Sequence, residues 1–216
     1  MGIQESIFSH GEGDQWFLRN QLQIKYHQTS TDVDFVVTRL NPFKDQVNSI
    51  LEIGCSGGHK VERLASILKS QPFGIDPSEM AISDAIQRTG LCENFVVGTI
   101  DNIVFPDSQF DAVFVGFCMY LVSREELNRA IGEVDRVLRK GGFLIIEDFD
   151  PGVEQELIYK HHREIKTYKA DYAKYFLNLD HYYLLEKKSF SHESDYFSYE
   201  SSERISIQIL YKNQIF

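Results

Sequence analysis

The chain reads as an α/β protein: a doubly wound, seven-stranded sheet, mostly parallel, with an antiparallel last strand. Two observations predict it. Between residues 48 and 150, short apolar runs alternate with amphipathic stretches at the spacing of βα units, which puts parallel strands in one sheet with helices on both faces. Beyond them, two strand-like runs, 182–190 and 204–211, are separated only by 191–203. That stretch is too short and too polar for a crossover helix, so the last strand must return antiparallel.

The elements follow in order. Residues 1–47 are expected to form a helical segment able to close as a lid over a compact domain, 48–216. Asp14 is placed to cap a helix running through Trp16 to Tyr26, and Thr31-x-x-Asp34 fits a capping box for a second. Val33, Val36, Val37 and Leu40 recur at helical spacing, and Asn41-Pro42 ends that helix. Residues 47–53 form the first strand, and the next helix carries Val61, Leu64, Ala65 and Leu68 on one face. Residues 72–75 form the second strand, ending at Asp76; Pro77 and Ser78 open a helix to Thr89, with Gly90 as its stop. Residues 94–98 are the third strand, and 110–117 the fourth, almost wholly apolar as a strand buried on both faces should be. Ser123-x-x-Glu126 is a further capping box, for a helix lined by Leu127, Ile131, Val134 and Leu138 and ended by Gly141-Gly142. Residues 143–146 are the fifth strand. The tail from 151 onward holds nine of the eleven tyrosines.

Composition narrows the partners. The chain has 216 residues and a formal net charge of −10, from 22 Lys+Arg against 32 Asp+Glu. That balance disfavours nucleic acid and anionic membrane surfaces, both of which select basic faces. No stretch approaches the ~18 apolar residues of a membrane span. Cys55, Cys92 and Cys118 are far apart with no CxxC pair, so neither a metal centre nor a disulfide scaffold is expected. With no basic-then-apolar leader at the N-terminus, the reducing cytoplasm is the expected compartment.

The densest motif is Leu51-Glu52-Ile53-Gly54-Cys55-Ser56-Gly57-Gly58. A glycine turn at the carboxyl end of a first strand lets a ligand approach the backbone, and the next helix presents free N–H groups. Asp76, 22 residues after Gly54, suits a bidentate grip on ribose hydroxyls. Ser56 stands where a dinucleotide fingerprint needs its second glycine, and Glu52 would repel a pyrophosphate while pairing with an ammonium or sulfonium.

These residues resemble the class I S-adenosylmethionine-dependent methyltransferases, a Rossmann-like family. The likeness rests on Glu52-Ile53-Gly54-Cys55-Ser56-Gly57, Gly74-Ile75-Asp76-Pro77-Ser78, the Phe105-to-Asp111 lead into the fourth strand, and Val137-Leu138-Arg139-Lys140-Gly141-Gly142 before the fifth. The antiparallel closing strand is the same family's topological mark. The resemblance implies S-adenosylmethionine as cofactor and S-adenosylhomocysteine as product. By it, Glu52 holds the methionine ammonium; Gly54, Cys55 and Gly57 line methionine and ribose; Asp76 takes the ribose with Pro77 against adenine; Ile100 offers its N–H to adenine; and Phe117 borders the methionine end. Thr99 departs from the Asp found in many relatives, leaving Thr99 or Asp101 to meet the adenine amino group. Trp16, in an aromatic-rich helix start behind Gly11 and Gly13, is expected either to roof the cofactor or to pack on the core.

The acceptor is expected at the carboxyl ends of the fourth and fifth strands and at the last hairpin loop. Asp148, His161 and His162 are the candidate bases. Lys160, Arg163, Lys166 and Lys169 recur every three residues, and on a helix they would form a basic face favouring an anionic acceptor, such as a surface-sugar precursor. A solvated face is the plainer reading. Tyr196, Phe197 and Tyr199 are placed either to wall the acceptor pocket or to fix the loop. The expected function is O- or N-methylation of a small molecule. The alternatives are a non-catalytic cofactor-binding module acting through a protein partner and, against Ser56 and Glu52, a nicotinamide dehydrogenase.

Overall fold

A computed structural model of the chain describes residues 2–26 and 31–214. Three helices come first: α1 (Ile3–Ile7), α2 (Gly13–Tyr26) and α3 (Thr31–Leu40). The βα series follows as β1 (Ser49–Ile53), α4 (His59–Leu68), β2 (Gln71–Asp76), α5 (Glu79–Thr89), β3 (Phe95–Val97), β4 (Phe110–Gly116), α6 (Leu127–Val137) and β5 (Leu138–Phe149). The tail adds β6 (Gln155–Ile158), β7 (Lys166–Lys169), α7 (Ala173–Leu177), β8 (Tyr182–Ser191) and β9 (Arg204–Lys212). Seven strands form one sheet in the order β3-β2-β1-β4-β5-β9-β8, and β6 and β7 form a separate hairpin. The strands from β3 to β5 are parallel; β9 runs antiparallel to both β5 and β8.

The two faces are built by period-two alternation. Ile53, Val115 and Ile146 point into a core with α6 and α7, while Ile50, Phe114 and Ile145 point into a second core with α3, α4 and α5. On α4, Val61, Leu64, Ala65 and Leu68 are the buried residues. Burying each of the larger ones stabilises the layer by about 1.5–3 kcal/mol.

Several local expectations are corrected. Asp14 does not cap its own helix, which already begins at Gly13; its Oδ1 accepts from Ser78 Oγ (2.6 Å) and Met80 N (3.1 Å) and so serves α5. Ser123 opens no helix: its N and Oγ donate to the buried Glu5 carboxylate (2.8 and 3.0 Å), and α6 starts four residues later. Leu138 is already in β5, and Gly141-Gly142 form a kink inside that strand, with Gly141 at φ +78°. Asn41-Pro42 turn the chain into a 3₁₀ helix rather than out of helix. α3 begins at Thr31, the expected cap, and the residues before it lie outside the described residues.

The basic run is not helical. Residues 155–169 form the β6–β7 hairpin, because Tyr159, Ile165 and Tyr168 are the buried positions. The Gln4 side-chain amide holds the hairpin edge, donating to Lys166 O (2.8 Å) and accepting from Lys166 N (3.0 Å). Lys166 pairs with Glu156 across the strands (2.5 Å), so the run makes no single basic face.

Asp111, in the motif leading into β4, is a joint rather than a ligand. It accepts from the N–H of Asn48 (2.7 Å) and Ser49 (3.0 Å) and pairs with Arg139, tying the amino ends of β1, β4 and β5.

Candidate active site

The carboxyl ends of β1, β2, β4 and β5 and the loop from β8 to β9 surround one cavity of about 760 Å³. It lies where the strand order reverses, between β1 and β4. Its volume falls in the roughly 300–1,000 Å³ range of small-molecule sites.

The glycine turn after β1 makes its floor. Gly54 has φ +74°, and a Cβ there would stand 3.0 Å from Cys118 Cβ and 3.2 Å from Gly116 O. Only glycine lets the crests of β1 and β4 close to this distance. At the end of β2, Asp76 accepts from Ser56 N (2.8 Å) through Oδ2 and from Ser78 N (2.9 Å) through Oδ1. Each oxygen keeps a second lone pair. Burial pushes this carboxyl up to about 6 against those two N–H donors. Ser56 Oγ and Thr99 Oγ1 are buried on the cavity wall without a hydrogen-bond partner. Such orphaned atoms are costly unless a ligand engages them.

Beside the turn sits a charged cluster. Lys60 Nζ lies 2.8 Å from Asp32 Oδ2 of α3 and 2.5 Å from Glu147 Oε2 of β5. Glu52 Oε2 accepts from Val61 N (3.1 Å) at the start of α4. Burial pushes Glu52 up to about 8, and Lys60 only partly offsets it. Burial likewise raises Glu147. Burial works against the Lys60 charge, but Glu147, Asp32 and Glu52 outweigh it and hold that ammonium raised. One ammonium thus faces three carboxyls, and ionising all of them would leave the cluster short of positive charge.

The opposite end is aromatic. Phe117 adopts φ +47°, unusual for a residue with a Cβ, and its N donates to Glu147 O (2.8 Å). Strain of this kind concentrates at functional sites, where it re-aims a side chain. Its ring meets Phe149 edge-on at 5.8 Å, and Tyr120 meets Phe149 at 5.0 Å. His192, from the β8–β9 loop, stacks on Phe149 at 5.7 Å and 10°.

Of the residues expected at the cofactor, Glu52, Gly54, Cys55, Asp76, Pro77, Thr99, Ile100, Phe117 and Trp16 all line this cavity. Phe17, next to Trp16, is buried instead. Gly57 does not line it; its carbonyl accepts from Arg88. Asp101 is fully buried, away from the cavity walls. None of the three expected bases reaches the cavity. His161 and His162 sit in the turn of the β6–β7 hairpin, and Asp148 points into the core, accepting from Tyr120 N (3.2 Å) and Phe149 N (2.8 Å). Burial pushes Asp148 up to about 8. Tyr196, Phe197 and Tyr199 are exposed beyond the rim. Sequence reasoning missed Asp32, Lys60, Glu147 and His192. Lys60 had a local signal, two residues past the glycine turn, and His192 lies in the last hairpin loop that was expected to meet the acceptor.

Residues 51–146 match the family model of a methyltransferase domain. The fatty-acid O-methyltransferase of Mycolicibacterium smegmatis is 30% identical over 128 residues, 58% of this chain and 42% of that protein. The phthiotriol/phenolphthiotriol dimycocerosates methyltransferase 1 of Mycobacterium ulcerans is 30% identical over 150 residues, 68% of this chain and 47% of that protein. The chain thus spans less than half the length of these relatives. In structure it is similar to the 1,6-didemethyltoxoflavin-N1-methyltransferase of Burkholderia thailandensis with bound S-adenosylhomocysteine, at TM-score 0.66 and 14% identity, over 93% of this chain and 89% of that one. In sheet order the chain is similar to a Rossmann-like methyltransferase, and its residues 51–146 match the model of a methyltransferase domain.

Proposed function

We propose that this protein transfers a methyl group from S-adenosylmethionine to a small-molecule acceptor at oxygen or nitrogen. The carrying observation is that one cavity joins the polar cradle of Gly54, Asp76 and Glu52 to the aromatic end at Phe117, Phe149 and His192. The orphaned Ser56 and Thr99 hydroxyls and the spare lone pairs of Asp76 fit a nucleoside, and the carboxyl-rich cluster around Lys60 fits an ammonium. When bound, S-adenosylmethionine supplies an electrophilic methyl on its sulfonium.

The chain's own residues do the rest. Asp76 takes the ribose hydroxyls, already oriented by its two backbone bonds. Thr99 and Ile100 meet the adenine edge, with Pro77 on its face. Ionised Glu52 holds the ammonium together with Asp32 and Glu147. Trp16, with the α1–α2 segment, roofs the site and excludes water, pinned by Asp14 to the start of α5. In-line transfer then needs alignment above all, which a rigid, closed cavity provides.

The basis for an anionic acceptor is gone, because the basic run lies outside the cavity. A non-catalytic module would need only the cofactor end, so the aromatic end favours turnover. Cytoplasmic residence is part of the proposal. The three cysteines are free, and no helix among the described residues is long and apolar enough to cross a membrane.

The test is S-adenosylhomocysteine formation from S-adenosylmethionine over a panel of small phenols, amines and carboxylic acids, with Asp76→Ala as blank. Turnover above the blank supports the proposal. Tight S-adenosylhomocysteine binding with no turnover on any acceptor would favour the non-catalytic module.

A further inference from the structure

The cavity's aromatic end has a chemistry of its own. Phe117 closes the crest of β4, Phe149 the crest of β5, and Tyr120 the short loop after β4. His192 comes from across the sheet, on the far side of β9. The His192 ring is edge-on to Phe117 at 5.7 Å and parallel to Phe149. Its backbone N donates to Glu203 O (2.8 Å), which fixes where the ring starts from. The four rings line this end of the cavity as an aromatic box, with Phe149 in contact with the other three. It is separate from the adenine end, which lies over β2 and β3.

The rim of the box carries acid. Glu193 follows His192 directly, Asp195 comes two residues later, and both line the same cavity. The nearest cation, Lys169, stands 3.8 Å from the Phe149 ring centroid, donates to Ser202 O (2.8 Å) and is not part of the cavity wall. Lys60 is the single Lys or Arg among the described wall residues, and it is engaged by Asp32 and Glu147 at the cofactor end. No Lys or Arg among the described residues lines the box itself, and Lys169 reaches the Phe149 ring from outside the cavity wall. Aromatic faces bind flat π systems and cations, and an acidic rim raises the local concentration of cations while opposing anions.

We infer that Phe117, Tyr120, Phe149 and His192 form an acceptor subsite for a flat aromatic or heteroaromatic molecule that is neutral or cationic, and that Glu193 and Asp195 reject anionic ones. This rests on the methyltransferase reading, since the box is called an acceptor site because it adjoins the cofactor cradle.

Three probes of one shape separate the possibilities: quinoline, N-methylquinolinium and quinoline-2-carboxylate. Each is titrated by calorimetry into the protein saturated with S-adenosylhomocysteine. Quinoline and N-methylquinolinium are expected to bind saturably, and the carboxylate roughly tenfold or more weakly. Phe149→Leu should weaken the first two roughly tenfold while S-adenosylhomocysteine binds as before. Glu193→Lys should narrow the gap between cation and carboxylate severalfold. Equal or tighter binding of the carboxylate overturns the inference, as does the absence of saturable binding by all three in a protein that binds S-adenosylhomocysteine. Failure to bind S-adenosylhomocysteine itself would instead strike the methyltransferase reading beneath it.

Discussion

Lowering the pH from 8 to 6 should stabilise the free protein and weaken its hold on the cofactor, two responses of opposite sign from the same carboxyl. Glu52, pushed up to about 8 by burial, binds a proton in the folded chain well above the pH at which it would when unfolded. A group raised in this way adds stability that is complete below the unfolded value and is lost as pH rises through the folded one. Asp148, also about 8, acts in the same direction. Each contributes at most ~1.4 kcal/mol per pH unit across that window, or roughly 3–6 °C of thermal midpoint for a domain of this length. Cofactor binding runs the other way, because the methionine ammonium pairs with ionised Glu52. At pH 6 that carboxyl must first lose a proton, whereas at pH 8 half of it is already ionised, a difference of up to ~2.3 kcal/mol, or roughly 50-fold in affinity. Differential scanning fluorimetry of the free protein and calorimetry with S-adenosylhomocysteine, both from pH 6 to 8, read the two slopes. Calorimetry in two buffers of different ionisation enthalpy should also register proton release near pH 7. Glu52→Gln should flatten the affinity slope. A free-protein midpoint that climbs from pH 6 to 8, or an affinity indifferent to pH, would refute the electrostatic reasoning.

Other perturbations have equally definite outcomes. Asp76→Asn places an amide N–H₂ against the N–H of Ser56 or Ser78 and removes the charge that grips the ribose; S-adenosylhomocysteine should bind about 10–100-fold more weakly by calorimetry. Gly74→Ala would bring a Cβ to 2.6 Å from Cys55 Sγ and 2.7 Å from Phe95 Cδ1, so urea unfolding should report a loss of ~1–3 kcal/mol. Asp14→Ala removes the cap that α2 lends to α5 and should cost about 1 kcal/mol of stability. If the α1–α2 segment roofs the cofactor, the same variant should bind S-adenosylhomocysteine severalfold more weakly, read by quenching of Trp16, the chain's one tryptophan.

What was legible in the sequence was local. The turn at Gly54 and the acid at Asp76 sit in contiguous motifs whose spacing is dictated by one strand and one helix, and the parallel series showed itself through period. The antiparallel return of β9 was readable because 191–203 leaves no room for a crossover. What escaped was made by tertiary contact. Asp32, Lys60 and Glu147 belong to three elements far apart in sequence and meet only when α3 packs against α4 and β5. Asp14 and Ser123 have the side chains of caps, but the folded chain gives them other partners, since a carboxylate or hydroxyl satisfies whichever N–H or oxygen it meets. The three-residue recurrence of Lys160, Arg163, Lys166 and Lys169 misled because charge periodicity carries less weight than burial of Tyr159, Ile165 and Tyr168. His192 stands in a loop without period or motif, and only the sheet order brings it to Phe149.

The central claim is that the cavity between β1, β2 and β4 is built for S-adenosylmethionine. Its most direct test is the thermal midpoint with S-adenosylhomocysteine, S-adenosylmethionine and NAD, each at about 100 times its dissociation constant or at the solubility limit. A ligand at that excess adds ~2.7 kcal/mol, which for a chain of this length is a rise of roughly 5–11 °C. The account predicts that rise with the first two and none with NAD. A rise with NAD alone, or with none of the three, would contradict it.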